Sequence, residues 1–320
     1  MKTEKGLIFG VHPFGKAGMA EGVATGAPDD FNKIGQAISE LKGDAKDFVI
    51  RSYTHYYGPE SAEAVLSEIG QLLQIEVQWD IVLGFRYEGM ELGGWLRLIR
   101  DIIEKYGNSL YTLQITGEAN LLNMPGAGDG YCPNVRQALV QGMIEARKAI
   151  KEFGVSTNIG FGVALTWQCG NDFWEEIGRI GGEEFVEALD YVGFDFYPDV
   201  FWRIPLENIP AGIKMGLESF RQKDLKTGHI PETVPIRITE NGWATNSERP
   251  YELQAKVLET VIRTIYDLRE ELNITHYELF GLRDANSSND NFFYQFGIMR
   301  DDYTPKPAFE VYKNLICELS

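Results

Sequence analysis

Two glutamates stand where short apolar runs give way to polar turns: Glu240 in VPIRITENGWATN and Glu118 in LYTLQITGEANLLN. A carboxylate at the end of a buried strand is partly shielded from water. Two such groups in unlike surroundings can divide their labour, one staying ionised and one holding a proton near neutral pH. Other apolar runs end on further polar groups: His12, Arg51 in DFVIRSY, Tyr197 in YVGFDFYP with Asp195 two residues before it on the same strand face, and a loop with Arg283 and Asp284. An arginine in an otherwise apolar strand wants a carboxylate partner. Taken singly, each has an ordinary explanation. A glutamate before a turn can be a loop or capping carboxylate, and a tyrosine in a strand is usually core. What decides is whether the chain brings them together.

The elements that would do so alternate regularly. The hydrophobic pattern predicts strands over Gly6–His12, Asp47–Tyr53, Glu76–Leu83, Leu110–Thr116, Thr157–Ala164, Tyr191–Tyr197, Val234–Glu240 and Ile274–Gly281. Several are near-continuous apolar runs, as parallel strands buried on both faces are. Helical periodicity fills the intervals: Asp30–Leu41, Ser61–Gln74, Gly94–Tyr106, Pro133–Phe153, a broken stretch over Asn171–Leu189, Leu206–Leu225, Pro250–Leu272 and Pro307–Leu319. Eight βα units without a linker predict an α/β fold, a single (β/α)8 TIM barrel forming one catalytic domain over residues 1–320. An open doubly wound sheet would want GxGxxG after the first strand, and HPFGKAGMAEGVATG lacks that spacing. The glycine-rich PGAGDG at 125–130 reads as a flexible loop.

Composition narrows the partners. The 320 residues carry a net charge of −17, which speaks against a nucleic-acid partner, and no basic patch is visible. No run reaches membrane-spanning length and no signal-like leader is visible, so the chain as numbered reads as soluble and cytoplasmic, or as secreted if a leader was removed. Cys132, Cys169 and Cys317 are far apart and read as ordinary thiols. No metal-ligand motif is visible, and neither a metal nor a cofactor is expected.

ITENG at 238–242 closely resembles the motif of the family-one β-glucosidases and, more broadly, the seventh-strand signature of the clan A retaining glycoside hydrolases. The resemblance extends to HYELFGLRDANSS and FGIMRDDYTPKPAFEVYKNL near the carboxyl end. It implies a retaining hydrolase of β-linked glycosides with a carbohydrate substrate. Glu240 is then the nucleophile, Glu118 at the end of the fourth strand the acid/base, and Arg51 and Tyr197 are supporting groups near the nucleophile. Sugar rings stack on indoles, so Trp243, Trp167 and Trp202, with Trp174, are candidate subsite walls, Trp243 the best placed; His12 and His55 could bind sugar hydroxyls.

The chain also departs from the pattern. The clan has an Asn before the acid/base, bonded to the sugar 2-hydroxyl; here that residue is Gly117. Three accounts are open: Asn120 takes the role, the substrate lacks an equatorial 2-hydroxyl, or the barrel binds carbohydrate with weakened or no turnover. Phe280 stands nearest the place where many relatives have a Trp.

Overall fold

A computed structural model describes residues 6–165 and 172–320. Among these residues eight parallel strands close into a barrel: β1 (Ile8–His12), β2 (Phe48–Tyr56), β3 (Gln78–Phe85), β4 (Thr112–Ile115), β5 (Asn158–Ala164), β6 (Tyr191–Asp195), β7 (Ile236–Asn241) and β8 (Ile274–Phe280). Each pairs with its neighbours in sequence, and β1 closes the ring by pairing with both β2 and β8. The main outer helices are α1 (Phe31–Lys42), α2 (Ala62–Leu72), α3 (Gly93–Tyr106), α4 (Val135–Phe153), α5 (Phe173–Ala188), α6 (Ile209–Ser219), α7 (Tyr251–Leu272) and α8 (Pro307–Leu319). This is the (β/α)8 barrel that the alternating pattern predicts.

Helix periodicity explains the outer layer. In α3, Trp95, Leu98, Ile99, Ile102 and Ile103 fall on one buried stripe, and the Trp95 indole donates to the Ala138 carbonyl of α4 at 2.9 Å. The broken helical stretch has a definite cause: α5 is interrupted at exposed Gly182, whose φ of 57° is left-handed. The helix expected over 206–225 is continuous but not uniform: a 3-10 turn at Leu206–Asn208 leads into α6, which runs on through a π-helical turn at Phe220–Leu225.

The lumen is less apolar than a barrel interior usually is. Arg51, Asp80, Gln114, Arg237, His276 and Glu278 are all buried. Arg51 donates to Asp80 and Gln114 at 2.8 and 2.9 Å, and Arg237 donates to Thr112 at 2.8 Å while lying over the Tyr191 ring. Glycines on β5 leave room for these large groups: a Cβ on Gly162 would come within 2.4 Å of the Gln114 amide, and one on Gly160 within 2.6 Å of the Tyr191 carbonyl.

Two differences from the sequence reading bear on the site. Strand β2 runs past its expected end at Tyr53 to Tyr56, which puts His55 on the same face as Arg51 and Tyr53. The loop after β1 contains a hairpin, Lys16–Gly18 paired with Val23–Thr25, that packs against the 125–130 loop closely enough for Gly126 to have no room for a side chain. That second loop is pinned by buried Asp129, and its Gly126 and Ala127 wall the site. No helix among the described residues is long and apolar enough to cross a membrane.

The glycine argument is testable by denaturant unfolding. Gly160→Ala should cost about 1–3 kcal/mol through overpacking. Gly35→Ala, in α1 with open space around the added methyl, should instead gain about 0.5–1 kcal/mol.

Candidate active site

The cavity opens at the carboxyl ends of the strands, with a volume of about 470 Å³, within the range of small-molecule sites. Its floor holds Glu240 from β7, Glu118 just past β4, Asp195 from β6, Tyr53 from β2 and His12 from β1. One carboxylate oxygen from each of Glu118, Asp195 and Glu240 lies within 4.8 Å of the other two. Acidic groups far apart in the chain therefore converge on a single point.

Glu240 is held from both sides. The Tyr53 hydroxyl donates to Oε1 at 2.5 Å and the Tyr197 hydroxyl to Oε2 at 2.7 Å. Burial and the neighbouring Glu240 push both phenols well above their ordinary range, so they remain donors. Arg51 does not touch Glu240. Its Nε donates to the Tyr53 oxygen at 2.9 Å, and its other donors go to Asp80 and Gln114. Its expected place beside the nucleophile is corrected: Tyr53 stands between them. The turn after Glu240 is held by Asn241, whose amide donates to the Phe196 carbonyl and accepts from Tyr277, and Gly242 passes so close to the Phe280 carbonyl that no Cβ would fit.

Glu118 is presented by a strained turn. Thr116 (φ 66°) and Glu118 (φ 44°) are both left-handed, at roughly 1–3 kcal/mol each. Asp129 braces the turn: Oδ2 accepts from the Gly117 and Phe85 amides, both at 2.7 Å, and Oδ1 from Arg86 at 2.9 Å. Asn120 locks its far side, donating to the Ala164 carbonyl at 2.8 Å and accepting from the Ala164 amide at 2.9 Å. That amide is engaged at both ends, so Asn120 is a structural clamp and does not replace the asparagine absent at 117. Desolvation first, then the charges of Glu240, Asp195 and Asp129, raises the Glu118 carboxyl well above its ordinary range. It is suited to hold a proton.

The other expected residues divide. His12 is buried, stacked on Phe280 with centroids 4.8 Å apart, and lines the cavity; its two ring nitrogens are buried and have no hydrogen-bond partner among the described residues. Burial, then Lys16 and Arg51, keeps it neutral, and burial with Arg86 and Lys16 takes His55 down to about 3. Trp202 is half exposed at the rim beside Phe201. Trp243 is corrected: it is fully buried, its indole donating to Asp199 at 3.1 Å beneath the Arg249 guanidinium, and cannot stack on a sugar. Trp174 is likewise core, packed against Phe161, Phe173 and Phe220. Trp167 and Cys169 lie outside the described residues; Cys132 and Cys317 are free thiols.

Linkage gives the sign of a stability test. The folded state raises the Glu118 pKa above the ordinary value of 4.5, so its ionisation destabilises the fold as pH rises through the raised value, whereas below about 4 both states are protonated. Glu118→Gln should melt above the wild type at pH 8, with the advantage shrinking as pH falls towards 4. An equal or lower melting temperature at pH 8 would count against a desolvated Glu118.

No family model matches the chain. Among curated proteins it is 24% identical over 299 residues to a probable glucan endo-1,3-beta-glucosidase of Aspergillus niger, covering 88% of this chain but only 59% of that protein's length. Among solved structures it is similar to a family 1 β-glucosidase from Thermotoga maritima (TM-score 0.64, 13% identity, 100% of this chain and 99% of that one). It also resembles a family 39 glycoside hydrolase from Bacteroides cellulosilyticus WH2 (TM-score 0.57, 16% identity, 98% of this chain and 64% of that one). The Thermotoga enzyme in complex with deoxynojirimycin aligns at a TM-score of 0.63 and 15% identity. The fold of this chain is thus the (β/α)8 barrel of these glycoside hydrolases, in keeping with the clan A resemblance of its seventh strand.

Proposed function

We propose that the protein is a glycoside hydrolase that cleaves β-linked glycosides with retention of anomeric configuration. The observation that carries this reading is the approach of Glu118 and Glu240 to within 4.8 Å at the barrel mouth. Retaining enzymes need their carboxyls about 5–5.5 Å apart for direct attack, whereas inverting enzymes leave roughly 6.5–9.5 Å for a water. The likeness to named glycosidases supports the same reading.

In this mechanism Glu240 attacks the anomeric carbon while Glu118 gives its proton to the leaving oxygen. Glu118 then takes a proton from water as that water releases the sugar from Glu240. The two tyrosine hydroxyls fix the attacking carboxylate, leaving it little freedom to turn away. The raised Glu118 pKa serves the first half of the cycle.

The first product should therefore be the β-anomer by proton NMR. Glu118→Ala should lower kcat/KM by about 10²–10⁴ on substrates with poor leaving groups, and less on dinitrophenyl glycosides, with azide restoring turnover as a β-glycosyl azide. Glu240→Gln should abolish turnover and covalent labelling by a fluorinated glycosyl donor, read by intact mass. An initial α-anomer would refute retention. Activity should fall as pH rises through the Glu118 pKa, and this alkaline limb should vanish in Glu118→Ala.

Gly117 favours a second reading, a barrel that binds carbohydrate without turning it over. Oligosaccharide binding by calorimetry, with no cleavage across an aryl-glycoside panel, would select it.

A further inference from the structure

Glu118 fixes where the leaving group begins. On the reading above it gives its proton to the departing oxygen, so that oxygen sits beside the loop after β4. The loop folds back onto the proton donor at once, the Leu121 amide donating to the Glu118 carbonyl at 2.9 Å. Leu121 and Met124 line the cavity half-buried, and Leu122 lines it exposed. β4 and β8 stand across the closed ring from each other. The facing wall comes from the loops after β6 and β8: Phe201 and Trp202, 42% and 45% exposed, and half-buried Phe293. Phe201 packs against Tyr197, Phe292 and Phe293 with ring centroids 5.7–6.2 Å apart, so this wall is braced by its own packing.

The polar side chains stand elsewhere. Beyond the floor and the Tyr197 hydroxyl on Glu240, those lining the cavity among the described residues are Lys16, His55, Tyr57, Arg86 and Asn123. All but Asn123 come from the sector of β1 to β3, and Arg86 is spent on Asp129 and two backbone carbonyls. In that sector the hairpin abuts the 125–130 loop, where a Cβ on Gly18 would strike the Gly126 carbonyl, so no groove leads out between the loops after β1 and β4. A group released beside Glu118 therefore passes between an aliphatic wall and an aromatic one.

These walls select the chemistry of that group. A sugar unit carries hydroxyls around its ring, and between walls of carbon they lose water without gaining partners. An alkyl or aryl group has no such hydroxyls, and it covers the apolar surface that Leu122, Phe201 and Trp202 otherwise leave in water. We propose that the substrate is a β-glycoside of an apolar alcohol or phenol, its non-sugar portion held between Leu121, Leu122 and Met124 on one side and Phe201, Trp202 and Phe293 on the other. This rests on the glycosidase reading above and specifies the leaving group; it does not depend on which sugar occupies the floor.

The test compares kcat/KM on methyl and octyl β-glycosides, kept below the micelle concentration, with β-linked disaccharides of the same sugar, in gluco and galacto configurations. Sugar hydroxyls are more acidic than alkanols and leave more readily, so the comparison is weighted against the proposal. The wild type should nevertheless favour octyl over methyl by about tenfold or more, and over every disaccharide. Phe201→Ala and Leu122→Ala, both at exposed positions, should each lower the octyl-to-methyl ratio by about threefold or more. Octyl β-thioglycosides should inhibit the wild type more strongly than methyl ones, a measurement that needs no variant. Disaccharides or polysaccharides preferred to the octyl glycoside, no octyl advantage over methyl, or a ratio unmoved in both variants would overturn the proposal while leaving the hydrolase reading intact. If no glycoside of any kind is cleaved, the hydrolase reading itself falls and takes this inference with it.

Discussion

The buried guanidinium of Arg51 is the interaction on which the rest of the site depends. It lies inside the barrel at 1% exposure and spends its donors on Asp80 of β3, Gln114 of β4 and Tyr53 of its own strand. Removing one partner of such a group costs far more than the pair contributes, because the other is left charged and dry. Three strands are thereby held in register beneath the cavity. The Tyr53 hydroxyl, fixed from below by Arg51, has its proton free to face Glu240. Positive charge thus reaches the proposed nucleophile through a neutral phenol, which orients the carboxylate without forming an ion pair that would have to break before attack.

A polar lumen of this kind needs space, and the glycines of β5 and β6 provide it. A Cβ at Gly162 would strike the Gln114 amide and one at Gly193 would strike the Thr239 hydroxyl. Thr239 in turn donates to Asp195. The small residues, the buried network and the acids above it are therefore parts of one packing solution, in which large polar groups on some strands are matched by absent side chains on their neighbours. The strained turn at Thr116 and Glu118 belongs to the same economy, since Asp129 and Asn120 brace it from opposite sides.

How much of this was legible in the sequence depended on whether the signal was local. Strand and helix periodicity carried the eightfold alternation, and ITENG with ITGEAN marked the two glutamates that converge. Tyr53, the last residue of the predicted strand, was missed because Arg51 already supplied that strand with a polar group; Arg51, Tyr53 and His55 at steps of two were the available clue. Trp243 looked well placed because it follows Glu240 closely, yet the chain turns there and carries the indole into the shell against Arg249. Asn120 was a candidate on proximity alone, and which way its amide bonds is settled by the end of β5, forty-four residues away. The Asp129 brace and the hairpin against the 125–130 loop are long-range contacts between irregular segments, which no short-range pattern encodes.

The interruption of α5 at Gly182 has a bearing on how this barrel can vary. The residue is exposed, left-handed and surrounded by open space, and it sits in the outer helical layer, away from the mouth where the carboxylates meet. Extra residues spliced there would loop outward into water without disturbing strand register or the cavity floor. The outer shell can thus gain or lose length, or accept a fused module, at a point where the chain is already bent away from the helix axis.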